Sequence, residues 1–421
     1  MAKFLIILLF LIKICFQKKQ RYFFMILKSD DSEITLKVKG IRYQYILNEE
    51  FTLLPNEIYI NGNKTDFINN KPQLNFENEL NIVILKWNQT ITTCKDMFRG
   101  RNNIVEIDLS KFETSFVTNM ENMFRDCTLL ESINFIYINT SSVSKSNYMF
   151  SGCSSLLNLD LSFFDTSKIK NMQYMFNGCE KLEYLNLSNF FTPNLEEMDY
   201  IFCQCTNLKY LDISNFNTSK VKNMKNIFQK CSSLTSLDLS SFDTYNVKEM
   251  DYMFDECSNL QTLDLSNFNT SNVERMKAMF QNCKSLTSID LSNFNTTKNT
   301  NLGLIFRYCQ NLAFVNLSGI NTSNIKNFDN MFNGCKSLKS IDLSNFITSK
   351  AQTMELMFKD CTSLISLDLS NFDFSSITSN TSIYDMFDNC RSLTYINLIN
   401  ATNISKYKKF SLKFQKFNYV Y

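Results

Sequence analysis

Aspartate is the residue type whose placement in this chain most invites chemistry. Asp108, Asp160, Asp212, Asp238, Asp264, Asp290, Asp342 and Asp368 stand at one point of a recurring phrase of the type Leu-x-x-Leu-Asp-Leu-Ser, and Asn134, Asn186, Asn316 and Asn397 take that place in other copies. A strand sends alternate side chains to opposite faces, so the column points away from the leucines. Asp212, Asp238, Asp264 and Asp290 are consecutive members. At strand spacing each adjacent pair would repel by about 1 kcal/mol in a water-like dielectric, which favours a bound cation such as Ca2+ or a basic partner. The plainer reading is a solvated polar face whose carboxylates bind local hydroxyls, with Ser214, Ser240, Ser266 and Ser292 two residues on. Two residues before the aspartates runs a more variable column on the same face: Tyr184, Tyr210, Ser236, Thr262, Ser288, Phe314 and Tyr395. Aromatics amid small polar groups suit a protein or glycan contact surface. The candidate partner-binding residues are therefore Asp212, Asp238, Asp264, Asp290, Tyr184, Tyr210, Phe314 and Tyr395, and apart from the Ca2+ reading no cofactor is expected.

Cysteine recurs as regularly, at Cys127, Cys153, Cys179, Cys205, Cys231, Cys257, Cys283, Cys309, Cys335, Cys361 and Cys390. One per unit is not the Cys-x-x-Cys spacing of a zinc site. Equivalent side chains in a stack point the same way, which disfavours disulfides, so buried free thiols are expected. Cys203, off the ladder, is expected to be exposed or irregularly paired. Cys94 falls in a different column with Met120, Met172, Met198, Met224, Met250, Met276 and Met354, which reads as gap-filling core. The chain has no histidine. That removes the usual general base near neutral pH, the His-activated nucleophiles and the commonest metal ligand. With no phosphate loop or metal motif either, an enzyme is not expected.

These columns need a repeating frame, and a phenylalanine supplies it: Phe98, Phe124, Phe150, Phe176, Phe202, Phe228, Phe254, Phe280, Phe306, Phe332 and Phe358 are 26 residues apart, with Phe387 after three extra residues. A second aromatic column runs through Phe164, Phe190, Phe216, Phe242, Phe268 and Phe294, with Ile138 and Ile320 keeping it apolar elsewhere. The leucine phrase alternates as a half-buried strand does. The stretch Val221, Met224, Ile227, Phe228, Cys231 spaces apolar groups by three and four, which predicts a short helix. Between them Asn/Asp-Thr-Ser reads as a helix N-cap, with capping-box pairs Ser271/Glu274 and Ser349/Gln352. One strand and one short helix enclose almost nothing, so the units must stack, strands inside and helices outside, over about 50–60 Å.

The unit from Cys231 to Phe254 resembles the leucine-rich repeats of BspA-type surface proteins, over roughly Ile91 to Asn400. The resemblance implies an exported or surface-displayed protein that binds macromolecules, commonly in adhesion, and transfers no catalytic residue. The fold expected is α/β: a leucine-rich-repeat solenoid with a parallel inner β-sheet, short outer helices and a small β-rich N-terminal cap. The divisions are a signal peptide or short anchor (1–20), the cap (21–90), twelve units (91–400) and a basic-aromatic cap or tail (401–421). The cap segment alternates at Ile34, Leu36 and Val38 and again at Ile82 and Ile84; a separate ligand-binding module is the sharper alternative there. Met1-Ala-Lys3 and the apolar run Phe4 to Ile12 resemble a signal peptide, although Lys13 interrupts the run and no small-residue cleavage site follows. In the tail, lysines such as Lys406 and Lys413 interleave with Phe410, Phe414 and Phe417, which would cover the last unit. Lys+Arg 43 against Asp+Glu 41 gives no electrostatic case for nucleic acid. Asn-x-Ser/Thr triplets such as Asn217-Thr-Ser coincide with the turn signal and say little about compartment. The leading expectation is an extracellular or cell-surface binding protein without a transmembrane helix beyond that anchor; the alternative is a cytoplasmic scaffold for a protein partner.

Overall fold

β1 (Ser32–Lys39) buries Ser32, Ile34, Leu36 and Val38 and exposes the residues between them more fully. In the computed structural model, which describes residues 32–377, 385–403 and the backbone of 418–420, it is the strand that joins two kinds of sheet. On one side it pairs antiparallel with β6 (Leu80–Trp87), beyond which lie β3 (Glu57–Ile60) and β4 (Asn63–Thr65). On the other it pairs antiparallel with β7 (Ile104–Asp108), whose partner β8 (Ser132–Asn134) is parallel. A smaller pair, β2 (Arg42–Tyr45) with β5 (Gln73–Phe76), completes this N-terminal region. Trp87 is buried there, its ring centroid 5.4 Å from that of Phe112 in the first coil, in an edge-to-face arrangement. The expected signal segment, residues 1–20, and the aromatic tail up to Phe417 lie outside the described residues.

From β7 onward the chain winds a β-solenoid of about eleven turns. Its inner side carries short parallel pairs: β9 (Tyr184–Asn186) with β10 (Tyr210–Asp212), β11 (Ser288–Asp290) with β12 (Phe314–Asn316), and β13 (Ser366–Asp368) with β14 (Tyr395–Asn397) and β15 (Asn418–Val420). The inner strands are parallel, as expected, and are divided into short groups. The ladder phenylalanines fill the interior, successive ring centroids lying between 5.5 and 5.8 Å apart in near-parallel stacks. Such offset stacks exclude water along the whole axis.

The expected outer helices are absent from the described residues. Among the described residues the one helical element is a 3-10 turn, Ile68–Asn70, in the N-terminal region. The apolar groups at Val221, Met224, Ile227, Phe228 and Cys231 are buried as a helical face would be. Their backbone is bonded differently. The amides of Met224, Asn226, Phe228 and Lys230 donate to the carbonyls of Glu249, Asp251, Met253 and Asp255 in the next coil, at 2.8, 3.0, 3.0 and 2.7 Å. Gln229 and Cys231 instead close three-residue turns onto Asn226 and Phe228. A helix would send each amide four residues back. It cannot form because Asn226 (φ 58°) and Lys230 (φ 62°) are left-handed, and the same two positions are left-handed in the next coil at Tyr252 and Glu256. Left-handed backbone costs an L-residue about 1–2 kcal/mol. The coil-to-coil bonds made by each such residue offset that cost.

The Asn/Asp-Thr-Ser phrase likewise caps no helix. Thr218, fully buried, donates its hydroxyl to the carbonyl of Asp243 and accepts the Asp243 amide, both at 2.9 Å. Thr244 does the same with Asn269 at 3.0 and 2.8 Å. The preceding Asn217 side chain accepts the amide and hydroxyl of Ser219, a local Asx turn. Of the two capping-box pairs, Ser271 bonds Asn269 and the Gln352 amide bonds Lys326 of the previous coil.

Candidate functional site

Each aspartate of the inner column is the first residue of a tight turn. The Oδ1 atoms of Asp212, Asp238, Asp264 and Asp290 accept the amides of Ser214, Ser240, Ser266 and Ser292 at 3.1, 2.9, 2.9 and 2.8 Å. These amides, helped by the serine hydroxyls, hold the carboxyls of Asp238, Asp264 and Asp290 below the usual carboxylate range. Asn186 and Asn316 make the same bond to Ser188 and Ser318, which explains why asparagine substitutes freely. The turn needs an acceptor oxygen and no charge.

Charge matters instead between coils. The bond that closes the end of a strand pair, from the residue after the column, is made from Leu109, Leu187, Leu291 and Leu369 to Asn134, Asp212, Asn316 and Asn397, each time across an aspartate–asparagine junction. At two of these the asparagine amide also reaches the aspartate: Asn134 to Asp108 at 3.0 Å and Asn397 to Asp368 at 3.1 Å. No strand pair forms across Asp212, Asp238, Asp264 and Asp290. A repulsion of about 1 kcal/mol per pair equals the net worth of one hydrogen bond, so it suffices to open such a junction. Some mixed junctions, such as Asn316/Asp342, are open too, so like charge is not the sole cause. We expect the fourfold variant Asp212→Asn, Asp238→Asn, Asp264→Asn, Asp290→Asn to unfold in denaturant at the same midpoint as the parent or a higher one; a lower midpoint would show that the carboxylates support the coils in some other way. Among the described residues no group of three or more histidine, cysteine or acidic side chains is placed to hold a metal ion.

The aromatic column stands out from the face. Tyr184 and Tyr210 stack at 4.5 Å with planes 8° apart, and 52% and 44% of their surfaces are exposed. Beside them Lys209 pairs with Glu183 at 2.8 Å. Phe314 is 61% exposed and Tyr395 38%. The fold brings Tyr184, Tyr210 and Asp212 together; it leaves Phe314 beyond the small residues Ser236, Thr262 and Ser288, and Tyr395 further along the axis. The face also extends into the N-terminal region, which the sequence did not reveal. Thr35 and Lys37 stand in register with Asp108 and Glu106, and Lys37 pairs with Glu106 at 2.7 Å. A second stack missed from sequence lies on the outer wall: Tyr148, Tyr174 and Tyr200, at 4.6 and 4.4 Å, with Arg125 over one end and Lys225 over the other. The signal was a tyrosine two residues before three successive ladder phenylalanines.

The cysteine ladder is buried and free. Each thiol donates to the carbonyl of a phenylalanine in the previous coil, as Cys127 to Phe98 at 3.0 Å and Cys257 to Phe228 at 3.1 Å. Cys203 is also buried, 2% exposed, with its sulfur 3.5 Å from Gln229 Oε1, contrary to the expectation that it lies open. Burial pushes Cys127 and Cys179 up to about 12. In the unfolded chain thiols ionise near about 8.5. Between these values the unfolded chain binds fewer protons than the folded one, so this contribution to stability is whole below about pH 8.5 and falls as pH rises towards 12. Titration with a thiol reagent should find the ladder unreactive at neutral pH and fully reactive in denaturant; ready labelling of the folded protein would contradict the burial.

Among solved structures, a leucine-rich cell surface protein from Faecalibacterium prausnitzii A2-165 is similar at 17% identity, with 73% of this chain and 85% of that chain covered and a TM-score of 0.35. A chain of the TLR13–ssRNA13 complex is similar at 14% identity over 75% of this chain, with a TM-score of 0.23; the match spans 50% of that chain. No curated protein sequence matches. The family model described as "Mycoplasma protein of unknown function, DUF285" matches residues 67–190, 196–314 and 300–420, nearly the whole solenoid, and the chain belongs to that family.

Proposed function

We propose that the chain is a non-catalytic recognition protein, secreted or displayed at the cell surface, that adheres to a protein or glycan partner through the inner face. The observation that carries this reading is the exposed Tyr184/Tyr210 stack, which stands on the inner face where β9 and β10 pair. Rigid aromatics bury much area at small entropic cost, as contact surfaces require. The resemblance to BspA-type repeats supports surface display and adhesion. The free thiols favour a second reading, a cytoplasmic scaffold using the same face, because reduced cysteine is the ordinary state there.

The test is binding of the purified chain to panels of immobilised extracellular-matrix proteins and glycans, with Tyr184→Ala/Tyr210→Ala and the fourfold aspartate-to-asparagine variant alongside. Loss of at least tenfold in affinity in the tyrosine variant is expected, and binding unaffected by either variant would remove the inner face from the account. Cell fractionation with N-terminal sequencing separates the two locations. A Ca2+ titration of the parent and the fourfold variant tests whether the aspartate row takes a cation.

A further inference from the structure

Away from the inner face, on the flank where the last coils turn from the ladder phenylalanines towards their strands, lies a cavity of about 380 Å3. It is half open to solvent and is lined by Tyr308, Lys336, Asp360, Asn389 and Arg391, together with Gly334. The first, third and fourth of these side chains and the glycine occupy one column, two residues past Phe306, Phe358, Phe387 and Phe332. In this column a glycine stands between a ring and a carboxylate. A Cβ on Gly334 would stand 2.4 Å from Tyr308 Cδ1, so the ring leans over the bare backbone, which is left-handed there at φ 79°. Gly152 has the same place in an earlier coil, and there Asp126 Oδ1 likewise occupies the space, 2.5 Å from where a Cβ would stand.

The walls are held in place. The Arg307 guanidinium lies 4.6 Å from the Tyr308 ring centroid and donates from Nη2 to the phenol oxygen at 3.1 Å. Asn389 Nδ2 donates to Asp360 Oδ1 at 2.5 Å, and Arg391 Nε donates to Asn389 Oδ1 at 2.7 Å. This row fixes three side chains and leaves the two Nη groups of Arg391 and the second Asp360 oxygen for other partners. Lys336 and Arg391 form no ion pair among the described residues. Gln310 and Thr362 add an amide and a hydroxyl at the rim. Fixed polar groups converging on a cavity of this size suit a small ligand. Two cations against one carboxylate call for an anion, the single flat wall for a ring whose C–H bonds pack on it, and the mixed donors and acceptors for hydroxyls.

We propose that this cavity binds an acidic sugar unit, with its carboxylate between Lys336 and Arg391, its ring against Tyr308 and its hydroxyls on Asp360 and Gln310. The site is separate from the inner face and does not depend on the partner proposed above. It gives the protein a second contact, to a negatively charged polysaccharide, on a surface free to act while the inner face is occupied.

Isothermal titration of the full chain tests it, with disaccharides carrying glucuronate, galacturonate or N-acetylneuraminate, the carboxyl-reduced forms of the first two, and inorganic phosphate. At least one acidic disaccharide is expected to bind tenfold or more tightly than its neutral form and than phosphate. Lys336→Gln and Arg391→Gln should each weaken that binding about tenfold without moving the thermal midpoint, and Tyr184→Ala/Tyr210→Ala should leave it unchanged. Equal binding of acidic and neutral sugars, equal binding of phosphate, indifference to both charge variants or no binding across the panel would each overturn the assignment.

Discussion

Phe254→Ala is expected to lower the stability of the solenoid by about 3–5 kcal/mol, the cost of deleting a wholly buried aromatic ring. The ring has no exposed surface and lies 5.5 Å from Phe228 and 5.7 Å from Phe280. Collapse cannot relieve the void, because coil spacing on either side is set by backbone bonds such as Phe228 to Met253 at 3.0 Å and Phe254 to Met279 at 2.9 Å. Each coil touches only its neighbours, so the loss should appear first as local opening around the substituted coil. Denaturant unfolding followed by circular dichroism, with amide exchange of the flanking coils, checks both parts. A loss below about 1 kcal/mol would mean that the ladder is looser than its geometry implies.

The second large effect belongs to Thr244. Thr244→Val keeps the shape and removes the hydroxyl, stranding the amide and carbonyl of Asn269, which it bonds at 2.8 and 3.0 Å. Asn269 is exposed and Thr244 buried, so the two orphans are only partly shielded from water and a loss of about 2–3 kcal/mol is expected. Thr244→Ser keeps both bonds and should lose much less. Were this residue a helix cap, valine would cost only about 1 kcal/mol. Unfolding midpoints of the pair therefore distinguish a coil-to-coil clasp from a local cap.

The columns of Phe254, Cys257 and Leu265 were legible in the sequence because burial selects side chains by size and polarity, and a fixed period repeats that selection. Spacing does not record where a backbone amide points. Val221, Met224, Ile227, Phe228 and Cys231 satisfy a helical face and a succession of three-residue turns equally well, and the turns form. The discriminating signal was the column two residues past the ladder phenylalanine, where Gly152, Gly178 and Gly334 alternate with Asp126, Asn282 and Asn389, types that tolerate left-handed backbone. The candidate site divides in the same way. The outward direction of Asp212 and Tyr210 followed from strand alternation. The turn-forming role of the aspartates was signalled by Asn134, Asn186, Asn316 and Asn397 in their place, since only an oxygen acceptor is common to both types. The cavity beside Gly334 had no one-dimensional signature, because its walls come from four coils.

All of this requires coils in which alternate outer amides are bonded to the next coil and none is bonded four residues back in its own. Hydrogen-bond scalar couplings in a deuterated, 15N,13C-labelled sample read that directly. A coupling from the Asn226 amide to the Asp251 carbonyl, and from Phe228 to Met253, is the predicted result; couplings from those amides to Lys222 and Met224, four residues back, would contradict it.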